Sequence, residues 1–381
     1  MPDASASPHS KAFATDRLVL VPDSIDLKQS PLAGQLGVET YVLGAFNPGL
    51  TRLPNGNLLM MVRVAEALRT PIFDGHVHAI RWDDGRYVLD AWPLELANTA
   101  DPRKFLLHGG GWKIMALTSL SWLLPVELSA DGLTCLEIHY DKAVAPENTL
   151  QCYGVEDARI SRIGEEYLMT TCSVSPERHS TTLYRSPNGL DWTFADIVLD
   201  HQNKDMLIFE GKINNQYWAQ TRPLGDLYFA YPPKSEWRAG PSINLAHSND
   251  GLFWKPYLKT GIRPYSGTVA TARMGGGAPP IRTDKGWLSL WHGVEPKEIV
   301  GIYRTYWSIL DLEEPSNIIR TCDGPLIEPN AELTRPIEHQ LYIRDVVFTT
   351  GIADGGDYFI VASGEADLAC RITHIPKTLF A

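Results

Sequence analysis

Residues Tyr153-Gly-Val-Glu-Asp-Ala-Arg-Ile160 set two acids and a guanidinium side by side between apolar neighbours. In an extended strand side chains alternate between faces, so Asp157 and Arg159 are expected to share one face. A carboxylate held close to an arginine can exchange a proton with a bound substrate while the cation orients it. The competing reading is a surface ion pair, worth about 0–1 kcal/mol. Three further groups that could do chemistry, Arg63, Arg222 and His292, each stand at or near the end of a repeated sequence pattern.

That pattern is a turn of Gly, Asn or Asp followed by a short alternating apolar run. Its five copies are Asn55–Val64, Gly164–Ser173, Asn214–Arg222, Lys285–Gly293 and Gly355–Gly364. A second repeat runs Ser129-Ala-Asp-Gly-Leu133, Ser186-Pro-Asn-Gly-Leu190 and Ser248-Asn-Asp-Gly-Leu252, with starts 57 and 62 residues apart. Asn, Asp and Gly tolerate the positive φ of hairpin turns. Repeated hairpins at this period point to an all-β fold, a five-bladed β-propeller, with a β-sandwich as the alternative. Residues 1–35 read as an N-terminal arm and 36–381 as one domain. In a propeller, groups at matching strand ends converge on one central funnel. Arg63, Arg222 and His292 would then crowd a single cavity, which is favourable only with an anion between them.

Composition narrows the class. The 381 residues include 31 Gly and 27 Pro, favouring many turns over long helices, and the formal net charge of −11 argues against a nucleic-acid partner. Five cysteines, Cys135, Cys152, Cys172, Cys322 and Cys370, are odd in number, and no two have CxxC spacing. A disulfide framework or zinc site is not expected, and a reducing compartment fits. With no apolar leader and no run of about 18 apolar residues, the expected location is cytoplasmic, with no membrane partner. Self-association is left open.

Ordered blocks through most of the chain resemble glycoside hydrolase family 130, the inverting β-mannoside phosphorylases and β-mannosidases. They include Gly44-Ala-Phe-Asn-Pro-Gly49, Val62-Arg-Val-Ala-Glu66, Gly154-Val-Glu-Asp-Ala-Arg159, Asn203-Lys-Asp-Met-Leu-Ile-Phe209, Thr221-Arg-Pro223, Gly275-Gly-Gly-Ala-Pro-Pro280, Trp291-His-Gly-Val294 and Gly364-Glu-Ala-Asp367. The resemblance implies a five-bladed propeller. It implies Asp157 as general acid, protonating the glycosidic oxygen through a mannose hydroxyl, with Arg159 holding that carboxylate and the sugar. Asn47, Arg63, Asp226 and Asp367 match sugar-binding positions, and Lys204, Arg222, Arg273 and His292 match a phosphate-binding cluster. Phosphate, with about −1.5 to −2 charges, needs several cations to hold and aim it. An inverting hydrolase instead needs a second carboxylate as base. The cationic set favours phosphorolysis of a β-mannoside, with phosphate as co-substrate and no metal or organic cofactor. The Gly-Ala-Phe-Asn, Arg-Val-Ala-Glu and Asn-Lys-Asp blocks are closest to the β-1,2-linked branch. An inverting β-1,2-mannosidase and a non-catalytic sugar-binding propeller are the alternatives.

The chain departs from the family pattern in places. Ala158 replaces a proline, Glu210 falls near the site and offers a base for a hydrolase, and Ser175-Pro-Glu-Arg-His-Ser180 replaces a small glycine-containing turn. Trp218, Trp237, Trp287 and Trp291 are candidate sugar platforms or core. Asp74, His76 and His78 read as an alternating strand before a metal site. Neither His108-Gly-Gly-Gly-Trp112 nor Gly275–Gly277 has the Lys-Ser/Thr of a phosphate loop.

Overall fold

A computed structural model describes residues 13–108, 114–224, 228–264 and 273–381. Nearly all regular structure is β, and the short turn signals explain why. Each of the five repeat copies closes a hairpin and supplies the second strand of a sheet: Leu58–Leu68, Glu166–Val174, Tyr217–Pro223, Trp287–Glu295 and Tyr358–Glu365. Their first strands are Thr40–Arg52, Val155–Ile163, Asn203–Ile208, Arg273–Gly276 and Val347–Asp354. The Ser-x-Asx-Gly repeat joins the third and fourth strands of the first three sheets. In each copy the Asx side chain accepts the amide two residues on, as Asn188 does from Leu190 and Asp250 from Leu252.

The N-terminal segment is not simply an arm. Asp16–Leu20 pairs antiparallel with Ala369–Pro376 and completes the last sheet. Arg371 clamps this seam by donating to both carboxylate oxygens of Asp16 at 2.7 Å and to Glu365 at 2.8 Å. Sheet contacts run in cyclic order. Thr40–Arg52 touches Val155–Ile163 on one side and Val347–Asp354 on the other, and the third and fourth sheets fill the interval. Core side chains such as Leu58, Met60, Trp122, Leu290 and Ile360 are fully or almost fully buried within and between the sheets. Two smaller three-stranded sheets are inserted between Leu68 and Ser119.

Candidate active site

The first strands of three sheets share an irregularity. Pairing registers slip by one residue after Phe46, Glu156 and Lys204, so each strand carries a β-bulge. The first bulged residue sits in the left-handed region in every case: Asn47 at φ 48°, Asp157 at 52° and Asp205 at 57°. Asn and Asp adopt this conformation more readily than other side-chain-bearing residues, and a bulge re-aims the side chain it carries. Ala158 occupies the second bulged position, where the first sheet has Pro48. That position has no ladder partner, so alanine in place of proline loses nothing there.

The three bulges open on one cavity of about 550 Å³. Of the predicted site residues, Asn47, Arg63, Asp157, Lys204, Arg222, Arg273, His292 and Asp367 all line it. Asp226 lies outside the described residues. Among the described lining residues six Arg or Lys face four carboxylates, on a chain of net charge −11. The expected crowding of Arg63, Arg222 and His292 is therefore real, but the protein's own carboxylates stand between the cations.

Those carboxylates form two bridges. Arg63 donates to Asp157 Oδ1 at 3.0 Å and to Glu156 Oε1 at 2.9 Å, and Lys204 donates to Glu156 Oε2 at 2.9 Å. Asn47 adds a donor to Asp157 Oδ1 at 2.9 Å. Behind this, Arg159 donates to Asp205 Oδ1 at 3.0 Å, while Arg222 Nε and His292 Nε2 approach Asp205 Oδ2 at 2.9 and 3.7 Å. Gly275 makes the second bridge possible, because a Cβ there would lie 2.5 Å from the His292 ring and 2.6 Å from Asp205 Oδ2.

Two expectations need correction. Arg159 does not hold the Asp157 carboxylate and does not line the cavity. The bulge breaks the alternation that would have set them on one face, and Arg159, 2% exposed, instead donates to the Asp157 carbonyl and to Asp205. His292 is not a cation, since burial in front of Arg222, Arg159 and Arg273 pushes its imidazole down to about 3 despite Asp205. A neutral imidazole keeps one N–H donor and one acceptor nitrogen.

Other candidates lie elsewhere. Trp218, Trp287 and Trp291 are buried in the core, and Trp237 stacks under Arg263. None of the four lines the cavity, whose aromatic side chains among the described residues are Phe46, Tyr228, Tyr303, Tyr342 and Phe348. Glu210, the base named for a hydrolase, is absent from the lining. His78 stacks on Phe73 in an inserted sheet, and His76 Nδ1 meets the Asp74 carbonyl. Gly277 gives its carbonyl to Arg159 rather than an amide to an anion. Of the other glycine run, residues 109–112 lie outside the described residues.

A family model described as beta-1,4-mannooligosaccharide phosphorylase matches residues 116–379 of this chain. The chain belongs to glycoside hydrolase family 130. A family 130 relative, the beta-1,2-mannobiose phosphorylase of Listeria innocua serovar 6a, is 30% identical over 369 residues, covering 89% of this chain and 92% of the relative. The 1,2-beta-oligomannan phosphorylase of Thermoanaerobacter sp. strain X514 is 32% identical over 247 residues, covering 63% and 74%. The solved Listeria innocua enzyme in complex with beta-1,2-mannobiose superposes with a TM-score of 0.77 at 27% identity, covering 96% of this chain and 97% of that one.

Charge sorts the carboxylates of this family 130 site. Burial alone would raise Asp157, but Arg63, Arg159 and Lys204, with the Asn47 hydrogen bond, hold it well below the usual carboxylate range. Asp205 is likewise lowered, burial being outweighed by Arg222 and Arg159. Asp367 goes the other way. Desolvation, opposed by Arg63 and reinforced by Asp157, pushes it up to about 6. A carboxyl raised on folding favours the native state while protonated and loses that advantage as pH climbs through the shifted value. Asp367→Asn is thus expected to gain stability relative to the wild type as pH rises from about 4 to 6, read as the difference in denaturation midpoints. An unchanged difference across that window would place Asp367 in a solvated environment.

Sequence reading assigned no role to Glu156 or Asp205. Both stand inside the blocks that resemble the family, and the available signal is the recurrence of Asn or Asp directly after a large side chain in Phe46-Asn47, Glu156-Asp157 and Lys204-Asp205.

Proposed function

We propose that the chain is an inverting β-mannoside phosphorylase that uses inorganic phosphate to cleave β-1,2-linked mannobiose or short oligomannosides, releasing α-mannose 1-phosphate. One observation carries this reading. A single cavity joins a buried carboxylate, Asp157, to the cations Lys204, Arg222 and Arg273 from neighbouring sheets. The β-1,2 linkage is supported by the similarity to relatives named for that linkage. We read the scaffold as a single five-bladed β-propeller. The cyclic order of five antiparallel sheets and the closure of the last by Asp16–Leu20 support this.

The charge pattern suggests how the acid is armed. Asp157 is ionised in the resting protein, held by Arg63. A phosphate entering beside Lys204 and Arg222 competes for those cations and adds negative charge, and both effects raise the carboxyl's proton affinity. One charge pair 4 Å apart is worth roughly 4 kcal/mol at an effective dielectric of 20, enough to move a pKa by several units. The C1–oxygen bond to the leaving sugar breaks as a phosphate oxygen bonds C1 from the opposite face. Asp157 takes up the proton that the entering phosphate gives up and passes it, through a mannose hydroxyl, to the departing oxygen, so the leaving mannose gains one proton and the mannose 1-phosphate carries one fewer than the phosphate that entered. Asn47, Arg63 and Asp367 hold the sugar, and Arg222, Arg273, Lys204 and neutral His292 hold phosphate.

The test is incubation with β-1,2-mannobiose and with β-1,4-mannosyl sugars, each with and without phosphate. Phosphate-dependent mannose 1-phosphate from the β-1,2 substrate is the expected result. Free mannose without phosphate would instead make the protein a mannosidase, and intact sugar in all tubes would make it a binding protein or an enzyme for another glycoside.

A further inference from the structure

The hairpin Ser175-Pro-Glu-Arg-His-Ser180, one of the departures from the family pattern, delivers a histidine to the cavity. Its turn is closed by Ser175, whose amide and hydroxyl both donate to the Arg178 carbonyl, at 3.1 and 3.0 Å. The next residue, His179, begins the strand His179–Ser186 and lines the cavity together with Gln202.

The state of the imidazole follows from its neighbours. The His179 backbone amide donates to Gln202 Oε1 at 2.7 Å, so the other end of that side-chain amide is the nitrogen. Gln202 Nε2 lies 3.0 Å from His179 Nδ1. An amide nitrogen only donates, so Nδ1 must accept and the ring proton of neutral His179 sits on Nε2. Burial, together with Lys204 and Arg222 and against Glu156, pushes the imidazole down to about 4, so it is uncharged at neutral pH. Nε2–H has no hydrogen-bond partner among the described residues, while Lys204 and Arg222, the nearby cations, line the same cavity.

We propose that His179 Nε2–H is a fifth donor to the phosphate oxygens, oriented by Gln202. The inference rests on the phosphorylase reading. A neutral donor adds a hydrogen bond to an ionised acceptor without further like-charge repulsion against Lys204 and Arg222. Glu156, which acts on the imidazole against the cations, lines the same cavity, as do Asp205 and Arg273.

The test is steady-state kinetics of His179→Ala, His179→Gln and His179→Asn in both directions. Glutamine can place an amide N–H close to where Nε2 stood, whereas asparagine reaches only about as far as Nδ1. His179→Ala is expected to raise KM for phosphate, and for mannose 1-phosphate in synthesis, by about 10- to 100-fold. KM for the β-mannoside and for the acceptor mannose should change less than twofold. His179→Gln should recover most of the loss and His179→Asn should not. Equal rises in all KM values, equal recovery by both amides, or no change in phosphate KM would each overturn the assignment. Should the wild type release free mannose without phosphate, the phosphorylase reading itself fails, which the same assays show before any variant is compared.

Discussion

Asp157→Asn is expected to lower kcat for phosphorolysis by about 10²- to 10⁴-fold, the usual contribution of a positioned general acid. The variant should still fold. Asparagine keeps an oxygen to accept from Arg63 and Asn47, which now donate to Asp157 Oδ1 at 3.0 and 2.9 Å. What it lacks is a transferable proton. KM for phosphate should therefore stay near the wild-type value, or fall, since removing the negative charge of Asp157 frees Arg63 and Lys204 to attract an anion. A substrate with a very good leaving group, such as an activated aryl mannoside, should recover part of the lost rate because its departing oxygen needs no proton. Near-normal turnover of mannobiose by Asp157→Asn would remove Asp157 from the acid role and turn attention to Asp367, the cavity carboxyl raised to about 6.

Asp205→Ala is expected to be the most damaging change to stability in the site. Its carboxylate is 4% exposed and is the shared partner of Arg159 and Arg222. Removing one member of a buried ion pair leaves uncompensated charge and typically costs about 3–5 kcal/mol. Two guanidiniums would be stranded here, and one of them also holds the carbonyl of the Asp157 bulge. The expected result is a marked fall in the denaturation midpoint together with a higher KM for phosphate, because Arg222 loses the group that aims it. Asp205→Asn, which preserves shape and one acceptor, should recover part of the stability. A midpoint within experimental scatter of the wild type would mean that water or rearranged carboxylates neutralise both arginines.

Both expectations depend on features of different legibility. The acid role proposed for Asp157 was legible as what the resemblance implies, at the string Glu-Asp-Ala-Arg among ordered blocks that match family 130. The Asp205 role was not. Its partners Arg159, Arg222 and His292 come from the second, third and fourth sheets, and nothing in the string Asn203-Lys-Asp identifies them. The same holds for His179, whose proton is placed by an amide 23 residues away. Strand alternation set Asp157 and Arg159 on one face and the resemblance had Arg159 hold that carboxylate, but Arg159 hydrogen-bonds the Asp157 carbonyl and Asp205 instead. Alternation assumes a regular ladder, and a bulge adds one residue and reverses the faces beyond it. The tryptophans illustrate a second limit. Composition shows that they are large and apolar, but whether such a ring covers core or sugar depends on which side of a sheet it falls.

The sequence by itself determined the β character, the five repeated hairpins and the identity of most groups around the cavity. The first two rest on short-range physics, turn residues that tolerate positive φ and period-two apolar runs; among the cavity groups, Arg63, Arg222 and His292 stand at matching ends of repeats and the other predicted ones were marked by the resemblance to family 130. Only the tertiary structure decided how those groups share their charges. Contacts between the sheets in cyclic order bring six cations and four carboxylates of the described residues to one cavity, and burial then makes each ionisation depend on its neighbours. His292 and His179 become neutral, Asp157 rests as an anion, and Asp367 retains a proton further up the pH scale. Those outcomes come from distances of a few ångströms between residues tens to hundreds apart in the chain, and a linear pattern does not contain such distances.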